Sequence, residues 1–171
     1  RYESSAASDV YKRQGLGVDK SKTKITTKDV ILTPSISIQA RHATAVEGLH
    51  LIVGDHNLVG LEELLSAQLG RERRLTEALA ILRPHYDLIM IDTAPSMNIV
   101  SVNALTASDG VLIPVQTEYL ALEGVALLMG TIQEVRRLLN NSLGVDAVIM
   151  TMHSPTLLNT QVAGHLRETF G

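Results

Sequence analysis

A carboxylate, a hydroxyl and a proline follow an apolar run halfway along the sequence. The run Tyr86–Ile91 is apolar except at one position and leads directly into Asp92 and Thr93, with Pro95 soon after. Ligands of open α/β sheets bind at the carboxyl ends of the strands, so Asp92 is placed for a metal or phosphate site. Carboxylate oxygens suit Mg²⁺, a hard cation that bridges phosphate oxygens. The pattern alone is weak evidence, because an Asp after a strand often caps the next helix.

Composition excludes several other chemistries. The 171 residues contain no Cys, so disulfides, thiolate zinc sites, iron–sulfur clusters and cysteine nucleophiles are excluded together, and a reducing, cytoplasmic setting fits. With 15 Lys and Arg against 18 Asp and Glu, the net charge is −3, and a DNA contact would need a local basic patch. The apolar runs are far shorter than the ~20 residues of a membrane-spanning helix.

The elements that must position Asp92 are predicted from hydrophobic periodicity. Four apolar segments that do not alternate are predicted as buried parallel strands: Leu49–Val53, Tyr86–Ile91, Gly110–Val115 and Ala147–Met152. Helical patterns lie between them, with apolar faces at Leu61, Leu64, Leu65 and Leu69, at Leu75, Ala78, Leu79 and Leu82, and at Val125, Leu128, Ile132, Val135 and Leu139. We therefore expect an α/β fold with a doubly wound, mostly parallel sheet and helices on both faces.

We expect neither end of the sequence to be a natural end. Asp9–Gln14 reads as a translation of GATGTGTATAAGAGACAG, which resembles the transposase end sequence used to build sequencing libraries. We interpret residues 1–14 as an adapter artefact and residues 15–171 as the biological domain, the alternative being a genuine polar tail. At the other end, Leu157–Phe170 has an amphipathic helical pattern that runs into a final glycine. We expect truncation at both ends.

Three longer stretches carry a family resemblance: GRERRLTEAL at 70–79, YDLIMIDTAPS at 86–96 and NALTASDGVLIPVQTEYLALEG at 103–124. In these the chain resembles the ParA/Soj-type partitioning ATPases, over essentially Gly15–Gly171. The resemblance implies a P-loop NTPase-like fold and, in the intact parent, hydrolysis of ATP with Mg²⁺. The family's glycine-rich phosphate loop would lie upstream of Gly15. We therefore expect the chain alone to be inactive and to expose strand edges and apolar surface.

The resemblance implies roles for Asp92 and the residues that follow it. Asp92 would hold Mg²⁺ through water, and Thr93 and Pro95 would belong to the switch that senses the γ-phosphate. A plain turn between strand and helix is the alternative for this segment, with Pro95 restricting the residue before it.

A second group of residues falls in the stretch that lines the family's nucleotide-dependent dimer interface: Gln116, Glu118, Tyr119 and Glu123. The alternative for them is a solvated loop and helix start, with Glu123 favourable to the helix dipole.

DNA binding is expected from arginines elsewhere, because residues 151–159 contain no Arg where the family commonly has one implicated in non-specific DNA binding. Arg136, Arg137 and Arg167 are candidates for phosphate contacts, or else they are solvated. By contrast, Arg71, Arg73 and Arg74 are expected to pair with Glu72 and Glu77 on one helix and receive no function.

The resemblance also implies partners and a location. The intact parent would form a homodimer on ATP, bind DNA non-specifically, meet a ParB-like adaptor and work in the nucleoid-associated cytoplasm, with no membrane expected. Chromosome and plasmid partitioning both remain open. The alternatives are a MinD-like membrane-associated ATPase, which would need a C-terminal amphipathic helix, and a degenerate dimerisation or binding module that does not hydrolyse ATP.

Overall fold

The computed structural model describes residues 16–18, 23–54, 60–93, 98–152 and 154–170. The chain divides into two compact units, residues 1–107 and 108–171. The first unit contains α1 (Thr27–Leu32), β1 (His42–Ala43), β2 (His50–Leu51), α2 (Leu61–Leu65), α3 (Arg74–Leu82) and α4 (Ile99–Ala107). Short 3₁₀ turns occupy Pro34–Ile36, Arg71–Arg73 and Arg83–His85.

The core of the first unit is built from the helices. One buried cluster joins Val30 and Ile31 of α1 to residues of α2, α3 and α4. The predicted apolar face of α3 is confirmed, since all four of its members are buried, and α3 ends before Pro84 as expected. In α2, Leu61 and Leu65 are buried but Leu64 is about half exposed. The helix ends at Leu65, so Leu69 cannot share its face and is fully exposed.

Two of the four strand predictions are wrong. Within Leu49–Val53, only His50–Leu51 forms a strand, and it pairs antiparallel with His42–Ala43. Tyr86–Ile91 forms no strand in the described part of the first unit. A segment that is apolar on both sides becomes a buried strand only where neighbouring strands and two covering layers are present, and the outer side of this segment is exposed.

The second unit matches its prediction more closely. It contains β3 (Gly110–Gln116), α5 (Tyr119–Leu138), β4 (Gly144–Thr151) and α6 (Leu157–Phe170). β3 and β4 pair in parallel, which confirms both as parallel strands, although β4 begins earlier than expected. The Asp146 side chain lies where a Cβ at residue 110 would project, which accounts for the glycine that begins β3.

Helix α5 covers one face of the sheet in the second unit, and α6 packs against α5. Ile113 and Val115 of β3 are buried, as are Val125, Ile132 and Val135 of α5. This confirms most of the apolar face predicted for α5, and the predicted bounds of α6 coincide with those observed. Among the described residues, the helices are too short or too polar to cross a membrane.

Candidate functional site

The segment that leads to Asp92 is anchored on one side only. Tyr86, Ile89 and Ile91 pack against the core of the first unit, whereas Leu88 and Met90 are each 75% exposed. This alternation holds the backbone against the core and leaves the outer side open. The end of the segment is therefore fixed by apolar packing and not by a strand ladder.

Asp92 and Thr93 lie at the end of this anchored segment, and both side chains are exposed. Pro95 lies outside the described residues. Over the ranges that the structure describes, no group of three or more His, Cys, Asp or Glu side chains converges as a metal cage would require. Asp92 thus offers one carboxylate at a solvent-facing edge.

The helix that follows is fixed by two asparagines for which no role was predicted. Asn98 caps α4, because its Oδ1 accepts hydrogen bonds from the N–H groups of Val100 at 3.0 Å and Ser101 at 3.2 Å. Asn103, in the middle of α4, has no exposed surface. The signal available in the sequence was an Asn inside the otherwise apolar stretch Val102–Leu105, where a buried amide needs partners.

The four residues predicted for the dimer interface lie on one continuous segment of the second unit. Gln116 ends β3, Glu118 precedes α5, Tyr119 begins that helix and Glu123 follows one turn later. Gln116, Glu118 and Glu123 are exposed. They occupy the carboxyl end of a parallel strand and the start of a helix, as a binding edge in an α/β protein requires.

Thr117 interrupts this exposed segment. It is only 1% exposed, and its Oγ1 is a buried side-chain atom without a hydrogen-bond partner among the described residues. No role was predicted for Thr117, since a Thr between two polar residues carries no distinctive signal.

The three candidate DNA-contacting arginines are exposed in the second unit. Arg136 and Arg137 lie in the last turn of α5 and line a shallow surface groove with Gln133 and Asn141. Arg137 also pairs with Glu134 at 3.3 Å, so its charge is partly neutralised. Arg167 lies in the last turn of α6.

The arginines of the first unit do form two of the expected pairs. Arg71 Nε lies 3.0 Å from Glu72 Oε1, and Arg74 Nη1 lies 3.2 Å from Glu77 Oε2. A hydrogen bond from the Glu72 backbone, and then one from Arg71, lower the pKa of the Glu72 carboxyl. Arg74 additionally donates to the carbonyls of Ile31 at 3.2 Å and Leu32 at 2.6 Å. It therefore closes the end of α1, a structural role that helix spacing alone did not predict.

Comparisons with known proteins place these features in a family. A family model described as an AAA domain, AAA_31, matches residues 8–145. The chain is 38% identical over 160 residues to the chromosome partitioning protein ParA of Caulobacter vibrioides, covering 92% of the chain and 60% of that protein. It is 43% identical over 127 residues to the chromosome-partitioning ATPase Soj of Thermus thermophilus, covering 74% of the chain and 49% of that protein.

A solved structure is also similar to this chain. Cobyrinic acid a,c-diamide synthase from Mycobacterium smegmatis, with bound ATP analogue and magnesium, matches at a TM-score of 0.82 and 31% identity. The match covers 91% of the chain and 64% of that structure, so the chain spans about three fifths of the length of such proteins. The fold is thus the α/β P-loop NTPase fold, and this chain belongs to the ParA/Soj family of AAA_31 ATPases.

Proposed function

We propose that the intact protein binds and hydrolyses ATP with Mg²⁺, dimerises on ATP and binds DNA non-specifically in chromosome or plasmid partitioning. The observation that carries the proposal is Asp92, an exposed carboxylate at the end of a segment whose inner side is anchored in the core. The similarity to a structure that holds an ATP analogue and magnesium supports the choice of ligand.

The side chains at this edge suit a Mg²⁺ ion that is bound together with a nucleotide better than a metal ion that is held by protein ligands alone. Mg²⁺ usually keeps several waters and takes one or two carboxylates together with substrate phosphates. A single exposed carboxylate such as Asp92 meets that requirement. When bound, the ion would neutralise charge on the phosphate oxygens.

The residues of this chain would act by positioning. Asp92 would bind the water shell of Mg²⁺. The packing of Ile89 and Ile91 against the core would hold the backbone of the segment, and with it the Asp92 carboxylate, in place. Thr93 and Pro95 would form the switch next to the γ-phosphate. Phosphoryl transfer depends mainly on positioning and electrostatic stabilisation, so small displacements of these groups are costly.

Phosphate release by the full-length protein tests the ATPase proposal. Asp92→Asn removes the charge at the candidate ligand, and we expect at least a ~100-fold loss of kcat. Asp87→Asn is the matched control, because Asp87 is exposed on the same segment. Equal rates for Asp92→Asn and the unsubstituted protein would contradict the proposal. ATP binding without hydrolysis in the unsubstituted protein would instead favour a non-hydrolysing dimerisation module.

Dimerisation would use the segment that contains Gln116, Glu118, Tyr119 and Glu123. Sedimentation with and without ATP tests this with Glu118→Lys, since a reversed charge at a self-associating face is repulsive or leaves a partner unpaired. Glu134→Lys, near the far end of the helix that Glu118 precedes, is the control. An ATP-dependent dimer that survives Glu118→Lys unchanged would remove that residue from the interface.

DNA binding would use Arg136, Arg137 and Arg167 as phosphate contacts, and a ParB-like adaptor would stimulate release. Each phosphate contact contributes about −0.9 to the slope of log K against log salt concentration. Replacing Arg136 and Arg167 by Ala should therefore make that slope less negative by about 2. Arg73→Ala, at an exposed arginine of the first unit, should leave the slope unchanged.

A further inference from the structure

Helix α4 packs in the same core cluster as the segment that ends at Asp92, yet the apolar pattern of α4 does not define its rotation about its axis. Ile99–Ala107 has apolar or small residues on every side and no polar stripe. Most of its residues are buried. A helix that is apolar all round has no preferred face, so hydrophobic packing alone does not select one rotational register.

Asn103 provides specific contacts that can select the register. Its Oδ1 accepts a hydrogen bond from Leu75 N–H at 3.0 Å, and its Nδ2 donates to the carbonyls of Arg71 at 2.8 Å and Ile99 at 2.9 Å. Two of these partners lie where the 3₁₀ turn Arg71–Arg73 runs into α3. Rotation of α4 about its axis would break both bonds and leave buried polar groups unpaired.

Helix α3 depends on the same side chain. The first N–H groups of a helix have no partner within it, and Arg73, at the N-cap position of α3, makes no side-chain capping bond. Leu75, the second residue of α3, takes its acceptor from Asn103 on the neighbouring helix. Asn103 therefore caps α3 and fixes α4 with one amide group.

Asn98 fixes the first turn of α4, because its Oδ1 accepts from the N–H groups of Val100 and Ser101. Ile99 of that turn packs against the same core cluster as Ile89 and Ile91 of the segment that ends at Asp92, so a shift of α4 would disturb the packing of that segment. We propose that Asn103 is a positioning residue, which sets the register of α4 against the start of α3 and thereby holds Asp92 and Thr93 in place. The catalytic consequence rests on the proposed ATPase function; the structural consequence does not.

Two substitutions in the full-length protein separate positioning from stability. Asn103→Leu removes the three bonds but keeps a buried side chain of comparable size. Thr106→Val is the control, because Thr106 is buried on the same helix and its hydroxyl donates to Val102 of that helix at 2.7 Å. Chemical denaturation of both variants measures the loss of stability.

Backbone amide NMR and steady-state kinetics give the two readouts. With Asn103→Leu we expect broadened or multiple amide peaks at Asn98, Val100 and Ser101, and at least a ~10-fold loss of kcat with KM changed less than ~2-fold. With Thr106→Val we expect single peaks and an unchanged kcat. Single, unshifted peaks with a normal kcat for Asn103→Leu would overturn the proposal. If the unsubstituted protein hydrolyses no ATP, the ATPase proposal fails and the amide peaks still decide the register.

Hydrogen exchange on the unsubstituted protein gives a test that depends on no variant. If Asn103 joins the two helices, the amides of Leu75, Val100 and Ser101 should open in one step, with the same free energy of opening. A Leu75 amide that exchanges independently of the first turn of α4 would overturn the proposal, even if Asn103→Leu does not fold.

Discussion

Buried polar side chains in this chain differ in how well their hydrogen-bonding groups are paired. Asn103 is fully buried and bonds to three backbone groups. Thr117 is almost fully buried, but its hydroxyl has no partner within the described residues. A buried hydroxyl without a partner costs about 1–3 kcal/mol, whereas a paired one contributes about 1 kcal/mol. Removal of the polar group should therefore lower the free energy of unfolding at Asn103 and raise it at Thr117.

Thr117→Val should stabilise the protein. The substitution keeps the shape of the side chain and removes the unpaired hydroxyl, so we expect a gain of about 1 kcal/mol in the free energy of unfolding. Urea denaturation measures it. Thr106→Val is the matched control and should lose about 1 kcal/mol, because its hydroxyl is paired. A loss of stability in Thr117→Val would show that its hydroxyl has a partner in the folded protein.

The lowered pKa of Glu72 predicts the direction in which the stability of the protein changes with pH. Its pKa is lowered in the folded state, so its stabilising contribution is present above the pKa of the unfolded chain and is lost as pH falls through the lower folded value. The pair with Arg71 is partly exposed, so we expect at most about 1 kcal/mol. The difference in unfolding free energy between the unsubstituted protein and Glu72→Gln should shrink toward acidic pH. A difference that grows there would contradict this sign.

Helix α1 illustrates how one element depends on another. The helix Thr27–Leu32 is only 6 residues long, and such a short helix is marginal on its own. At its start, Asp29 Oδ2 accepts from the N–H and hydroxyl of Thr26 at 2.8 and 2.9 Å. At its end, the Arg74 guanidinium donates to the carbonyls of Ile31 and Leu32. Only 23% of the Arg74 side chain is exposed, so water competes little for these hydrogen bonds. Contacts from α3 therefore hold α1 in place.

Arg74→Ala should lower the free energy of unfolding by about 2 kcal/mol, since it leaves the Ile31 and Leu32 carbonyls without their charged donor. Arg74→Lys should recover only part of the loss, because an ammonium cannot reproduce the planar fork of the guanidinium. Arg137→Ala removes an exposed arginine paired with one glutamate and should cost less than about 0.5 kcal/mol. Equal effects at the two arginines would contradict the role of Arg74.

Elements whose pattern is local could be predicted from the sequence, and those that need distant partners could not. The face of α3, the bounds of α6 and the parallel pair β3 and β4 follow from periodicity within one segment. The Tyr86–Ile91 prediction failed because a strand also needs a backbone partner. Asp92 could be found from its place after an apolar run. Asn103 could be noticed as a polar residue in an apolar stretch, but its role could not be predicted, since its partners Leu75 and Arg71 lie 28 and 32 residues away in the chain.

At the scale of the whole molecule, apolar surface remains uncovered in both units. Leu88 and Met90 are exposed in the first unit, and Leu112 and Ile149 are 51% and 46% exposed in the second. Strand register places Leu112 opposite Ala147 and Pro114 opposite Ile149, so these residues share one face of the β3–β4 sheet. Parallel sheets are normally buried on both faces. Among the described residues, this sheet is covered by α5 on one face and is exposed and apolar on the other.

The exposed sheet face should make the 171-residue chain self-associate. A contiguous apolar surface favours association because contact removes it from water. Replacing Leu112 and Ile149 by Thr keeps β-forming residues on the strands and removes apolar area, so sedimentation velocity should show a larger monomer fraction at equal concentration. Leu157→Thr is the control, since Leu157 is 79% exposed but lies outside the sheet. An unsubstituted chain that stays monomeric with a sharp, cooperative melting transition across the concentration series would refute this expectation. If Leu157→Thr raised the monomer fraction as much as the double substitution, the sheet face would not be the surface responsible.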